Sequence, residues 1–143
     1  MTVDRDLITR KLLLIARDLE ELREIASSDV DHFRGDRRDQ AVVERYLERM
    51  IGRTIDVNFH LITETGHAPP ADYHASFIRL ADLGVLDAEF ARRIARAAGL
   101  RNRLVHEYED IDPRRVFEAL QSAFKDLPIY LRRIDEYVTR AST

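Results

Sequence analysis

Apolar residues recur along this chain at alternating steps of three and four, the spacing of one face of a helix. Ile8, Leu12, Ile15, Leu19, Leu22 and Ala26 predict a first helix from about Val3 to Ala26. Val43, Leu47, Met50, Ile51, Ile55, Asn58 and Ile62 form the inner side of a second, from about Arg37 to Glu64. Gly66 and the Pro69-Pro70 pair end it. A short third helix from about Asp72 to Leu83 carries Phe77, Ile78 and Leu80, and Gly84 closes it. The fourth starts near Asp87, a natural N-cap, and runs to Tyr108. Asp112-Pro113 reads as N-cap and first-turn proline of a fifth helix, which Pro128 should kink near Phe124. Strand-like alternation is scarce, and no repeat or second domain emerges. The expectation is an all-α protein: one domain over residues 1–143, an up-down bundle of about five helices. The stretch from Asp29 to Asp39 mixes charges and reads as a solvated, mobile connection.

Composition narrows the chemistry. Hydrophobic residues make up 45% of the 143, enough for a core without staples. Cysteine is absent, which excludes disulfides, zinc-thiolate sites and cysteine nucleophiles. No apolar run approaches the roughly 20 residues of a membrane helix. Met1 to Asp6 shows no basic start to an export signal, so the expected compartment is the cytoplasm. A net charge of -3 argues against a uniformly basic coat for nucleic acid, yet leaves room for a local basic cleft. Arg92, Arg93, Arg96, Arg101 and Arg103 crowd one stretch; the first three read as a solvated helix face.

One of these arginines is out of place. Phe90, Ile94, Ala97, Leu104 and Tyr108 share a stripe on the fourth helix, and Arg101 fills its missing step. A permanent cation on an apolar face is costly unless an anion meets it there. Asn102 and His106 lie one turn apart on another face, about 140° around the helix from Arg101. One copy of the helix cannot easily aim Arg101 and His106 at one small target. Two copies across a two-fold axis can, and Ala97, Ala98 and Gly99 would let such helices approach closely. The residue set suits RNA cleavage without a metal. Imidazole handles the proton of the ribose 2′-hydroxyl as that oxygen attacks its own phosphate. Guanidinium stabilises the growing negative charge. Products are a 2′,3′-cyclic phosphate and a 5′-hydroxyl, and DNA, without the attacking group, is not a substrate. Asn102 would orient the ring or hold a phosphate oxygen. Two other readings stand beside this one: Arg101 pairs with a buried carboxylate and His106 bonds the last helix carbonyls, or the same cleft belongs to a non-catalytic helical dimer that binds RNA, a nucleotide or a partner protein.

Arg101-Asn102-Arg103-Leu104-Val105-His106-Glu107-Tyr108 resembles the R-x4-H-x-Y motif of the HepT-like ribonucleases within the HEPN superfamily. Gly84-Val85-Leu86, Ala98-Gly99-Leu100, Asp110-Ile111-Asp112-Pro113 and Asp126-Leu127-Pro128 resemble the same family. The resemblance implies an all-helical homodimer with metal-independent ribonuclease activity at a composite cleft, and no cofactor. It implies the toxin of a two-gene module whose antitoxin is a minimal, MntA-like nucleotidyltransferase. Arg101 and His106 then correspond to the catalytic pair, Asn102 to the polar position beside it, and Tyr108 to the tyrosine that the partner modifies with AMP. Elsewhere, His60, His67 and His74 recur every seven residues, but Pro69-Pro70 should separate them, and no metal site is expected there. No glycine-rich phosphate loop or nucleophile elbow is present.

Overall fold

A computed structural model describes residues 3–107 and 111–141. Eight helices follow one another: α1 (Arg5–Glu21), α2 (Arg23–Ala26), α3 (Val30–Arg34), α4 (Arg37–Glu64), α5 (Tyr73–Asp82), α6 (Ala88–Ile94), α7 (Arg96–His106) and α8 (Pro113–Ala141), with no strand among the described residues. Aspartates start most of them. The carboxylates of Asp4, Asp29, Asp36, Asp72 and Asp87 each accept a backbone N–H of the first turn that follows. Asp112 accepts from Arg114 at 3.0 Å ahead of Pro113. Gly66 and Gly84 take positive φ, 87° and 76°, and end α4 and α5 in the way glycine permits.

The long helix α4 is the spine, with α1, α5, α7 and α8 packed against it. The stripes read from the sequence are its core: Ile8, Ile15, Val43, Met50, Leu61 and Ile62 are fully buried. A polar seam crosses that core. The Tyr130 hydroxyl of α8 donates to Asn58 Oδ1 at 2.6 Å, with the Thr54 carbonyl 3.0 Å away. Asn58 Nδ2 donates to Ser76 Oγ at 3.0 Å, and the Ser76 hydroxyl donates to the Tyr73 carbonyl at 2.7 Å. This chain of bonds registers α8, α4 and α5 and ends at the backbone of Tyr73. Burial holds the Tyr130 phenol well above its ordinary pKa, so it serves as a neutral donor.

Three expectations are corrected. The stretch from Asp29 to Asp39 is not a solvated connection: Asp29 caps α3, and Phe33 is fully buried with its ring 5.3 Å from that of Phe117. The first helix is interrupted at Leu22, whose N–H bonds the Leu19 carbonyl in a tightened turn. The fourth helix likewise divides at Ala95, whose φ of -58° and ψ of -23° are near 3₁₀ values and whose carbonyl accepts from Ala98, three residues on. Its last helical residue is His106, and Tyr108 lies outside the described residues. The last helix runs through Pro128, which offers no N–H to the Phe124 carbonyl.

Candidate active site

Helices α6 and α7 together keep the predicted stripe. Phe90 and Ile94 of α6 and Leu104 of α7 are buried, Ala97 is partly buried, and Arg101 on α7 is half-buried. Its guanidinium carbon stands 5.2 Å from the centre of the Tyr73 ring, at the start of α5. Among the described residues no carboxylate pairs with it. The cation is therefore tolerated through an aromatic face, and among the described residues nothing takes up its N–H donors. Among the described residues, the internal ion pair that was the plainest structural explanation of Arg101 is not present.

Arg101 opens on a pocket of about 470 Å³ between α4, α5 and α7, with Arg49, Gly52, Arg53, Asp56, Phe59 and Tyr73 among its walls. Arg49 and Arg53 share one fully buried carboxylate. Asp18 accepts from Arg49 Nε at 2.8 Å and Nη2 at 2.6 Å, and from Arg53 Nη1 at 2.7 Å. Their spacing of four places both heads on one side of α4. Sequence reading missed all three, because Asp18 lies 31 residues from Arg49 and nothing local links them. Asp18 falls among the inward positions of α1, between Ile15 and Leu19, and that misplaced charge was the available signal.

Asn102 and His106 are exposed and line neither this pocket nor the larger groove beside it. Within a single chain Arg101 thus lines a pocket that His106 does not, in keeping with the angle between them. Gly99 is exposed, and a Cβ there would meet only Arg103 Nη1, at 3.8 Å. Packing among the described residues gives no reason for a glycine that costs about 1 kcal/mol against alanine.

The larger groove, about 980 Å³, runs between α4, α7 and α8 over Leu47, Met50, Ala97 and Leu100. Arg93 on its edge corrects the solvated face expected of Arg92, Arg93 and Arg96. It bonds Asp126 at 3.1 Å and lies 5.1 Å from the Phe90 ring centre, whereas Arg92 and Arg96 are exposed. His60 accepts from the Asp4 backbone, and His67 contacts the Thr65 hydroxyl. Among the described residues, three donors from His32, Asp36 and Asp39 lie within 4.8 Å of one another, but Asp36 is already the cap of α4. No helix among the described residues is long and apolar enough to cross a membrane.

The fold places the chain in a class of helical proteins with the HEPN architecture. It superposes on the tri-AMPylated HEPN toxin of Shewanella oneidensis, solved in complex with its MNT antitoxin, with a TM-score of 0.82 at 24% identity, over 92% of this chain and 98% of that one. A sequence model described as "Ribonuclease HepT-like" matches residues 15–134, so the chain belongs to the HepT-like ribonuclease family. It is 36% identical over 132 residues to the tRNA nuclease HepT of Aphanizomenon flos-aquae, covering 92% of this chain and 90% of that protein. It is 24% identical over 126 residues to the mRNA nuclease HepT of Shewanella oneidensis, covering 88% and 94%.

Proposed function

We propose that this protein is a metal-independent endoribonuclease that works as a homodimer and is the toxin of a module with a minimal, MntA-like nucleotidyltransferase antitoxin. The observation that carries the reading is Arg101: a half-buried guanidinium without a carboxylate among the described residues, five positions before an exposed imidazole. A cation kept free at that cost is ready for an anion from outside, and a scissile phosphate is such an anion.

In the proposed reaction His106 takes the proton of a ribose 2′-hydroxyl or delivers one to the departing 5′-oxygen. The 2′-oxygen forms a bond to phosphorus, and the bond to the 5′-oxygen breaks. Arg101 of the facing subunit stabilises the charge on the non-bridging oxygens, and Asn102, beside it in sequence, holds one of them or orients the ring. Gly99, exposed and open, would let the two α7 helices approach across the two-fold axis. The relatives named for tRNA and mRNA support RNA as the substrate class. Tyr108 is the proposed acceptor of AMP, whose phosphate would add charge and bulk where RNA enters.

Two experiments test this reading. Purified protein incubated with bulk transfer RNA in EDTA should leave cyclic phosphate ends; fragments with 3′-hydroxyl ends, or binding with no scission at high protein concentration, would overturn the chemistry. Incubation with the nucleotidyltransferase and ATP should add the mass of AMP and suppress cleavage. Tyr108→Phe should show neither effect, and continued labelling of that variant would reject Tyr108 as the acceptor.

A further inference from the structure

We propose that the pocket between α4, α5 and α7 is a second phosphate site, where Arg49 and Arg53 hold the RNA backbone phosphate next to the one engaged by Arg101. The inference rests on the ribonuclease reading and deepens it by assigning residues outside the motif to substrate binding.

Charge comes first. Asp18 is a single carboxylate beneath two guanidiniums, so the group keeps one surplus positive charge, and Arg101 adds a second on the same pocket. Among the described residues the one acidic wall residue, Asp56, is matched by Lys11 Nζ at 3.4 Å. Donor supply comes next. Arg49 commits Nε and Nη2 to Asp18, and Arg53 commits Nη1. Each guanidinium carries five N–H donors, so several remain for a phosphate fork. Both arginine side chains are partly exposed, at 33% and 20%, whereas the carboxylate they share is fully buried. A buried ion pair contributes little net stability by itself. Here it fixes two flexible side chains in place before a ligand arrives, which lowers the entropy lost on binding.

Shape agrees with charge. Gly52 lies on the pocket wall in the interior of α4, and a Cβ built on it meets nothing within 4 Å. The helix carries a residue that weakens it, and the space so left is the pocket itself. Phe59 and Tyr73, in edge contact with ring centres 6.1 Å apart, supply an apolar wall for the sugar or base attached to the phosphate.

The test uses the full chain carrying His106→Ala, so that RNA survives the measurement. Affinity for a short fluorescent oligoribonucleotide is measured between about 50 and 200 mM salt. Arg53→Gln keeps the Arg49–Asp18 fork and should lower the slope of log affinity against log salt by about 0.7, the loss of one phosphate contact on a single strand. Gly52→Leu places its Cβ where nothing lies within 4 Å, fills the pocket, and should weaken binding at least tenfold while the melting temperature holds or rises. Asp56→Asn, which removes the wall's carboxylate, should tighten binding. An unchanged slope for Arg53→Gln together with unchanged affinity for Gly52→Leu would overturn the site. The ribonuclease reading stands or falls separately, on whether the unmutated chain cuts RNA: cleavage with that slope and that affinity both unchanged removes only this pocket, while a chain that neither cuts nor binds RNA removes both.

Discussion

Arg101→Ala and His106→Ala, each nearly inactive alone, should recover about a quarter of wild-type RNA cleavage when the two proteins are unfolded, mixed and refolded together. Each single change should lower the rate by about 10²- to 10⁴-fold, the usual worth of a positioned proton carrier or a preorganised cation. Recovery follows from where the side chains stand. Within one chain Arg101 opens on the pocket between α4 and α5, whereas His106 is exposed at the end of α7. If each cleft takes Arg101 from one subunit and His106 from the other, a mixed dimer holds one site with both defects and one with neither. Half of the dimers are mixed and half of their sites are intact, which sets the quarter. Gel-based cleavage rates and a tagged-subunit pull-down to verify exchange give the measurement. Verified mixed dimers without activity would show that the two groups do not act across the interface.

The second large effect concerns stability. Arg49→Met with Arg53→Met should lower stability by about 3–5 kcal/mol, because Asp18 then stays fully buried without a countercharge. For a chain of this size that is a fall of about 10 to 20 °C in melting temperature. Adding Asp18→Leu should return most of the loss, since a buried ionic group replaced as a whole by apolar side chains is often neutral. Binding of RNA should stay weak in both variants, because the cations are gone from the pocket in each. Urea titration of the double and triple variants decides the matter: a triple variant no more stable than the double would mean that the arginines serve mainly through packing of their stems.

Much of the fold was legible because helix periodicity is local. The inward stripe from Ile8 to Leu22, the aspartate caps and the glycine stops all rest on neighbours within a few residues. Helix α3 escaped that reading. Five residues are too few to display a period, and only packing against Phe117, far along the chain, shows what Phe33 is for. The candidate site divides in the same way. Arg101 stood out as a charge on an apolar stripe, and the motif around it carried the family.

Sequence alone determined the helical class, the stripe that becomes the core, and the strangeness of Arg101, since each depends on spacing within a few turns. Tertiary structure decided what meets that arginine among the described residues, a Tyr73 ring and a pocket with Arg49 and Arg53. It also decided that Asp18 lies buried beneath those two arginines and that Arg93 pairs with Asp126. Such pairings join residues more than 25 positions apart, and they are set by how whole helices pack, because a side chain reaches only a few ångströms beyond the backbone that carries it.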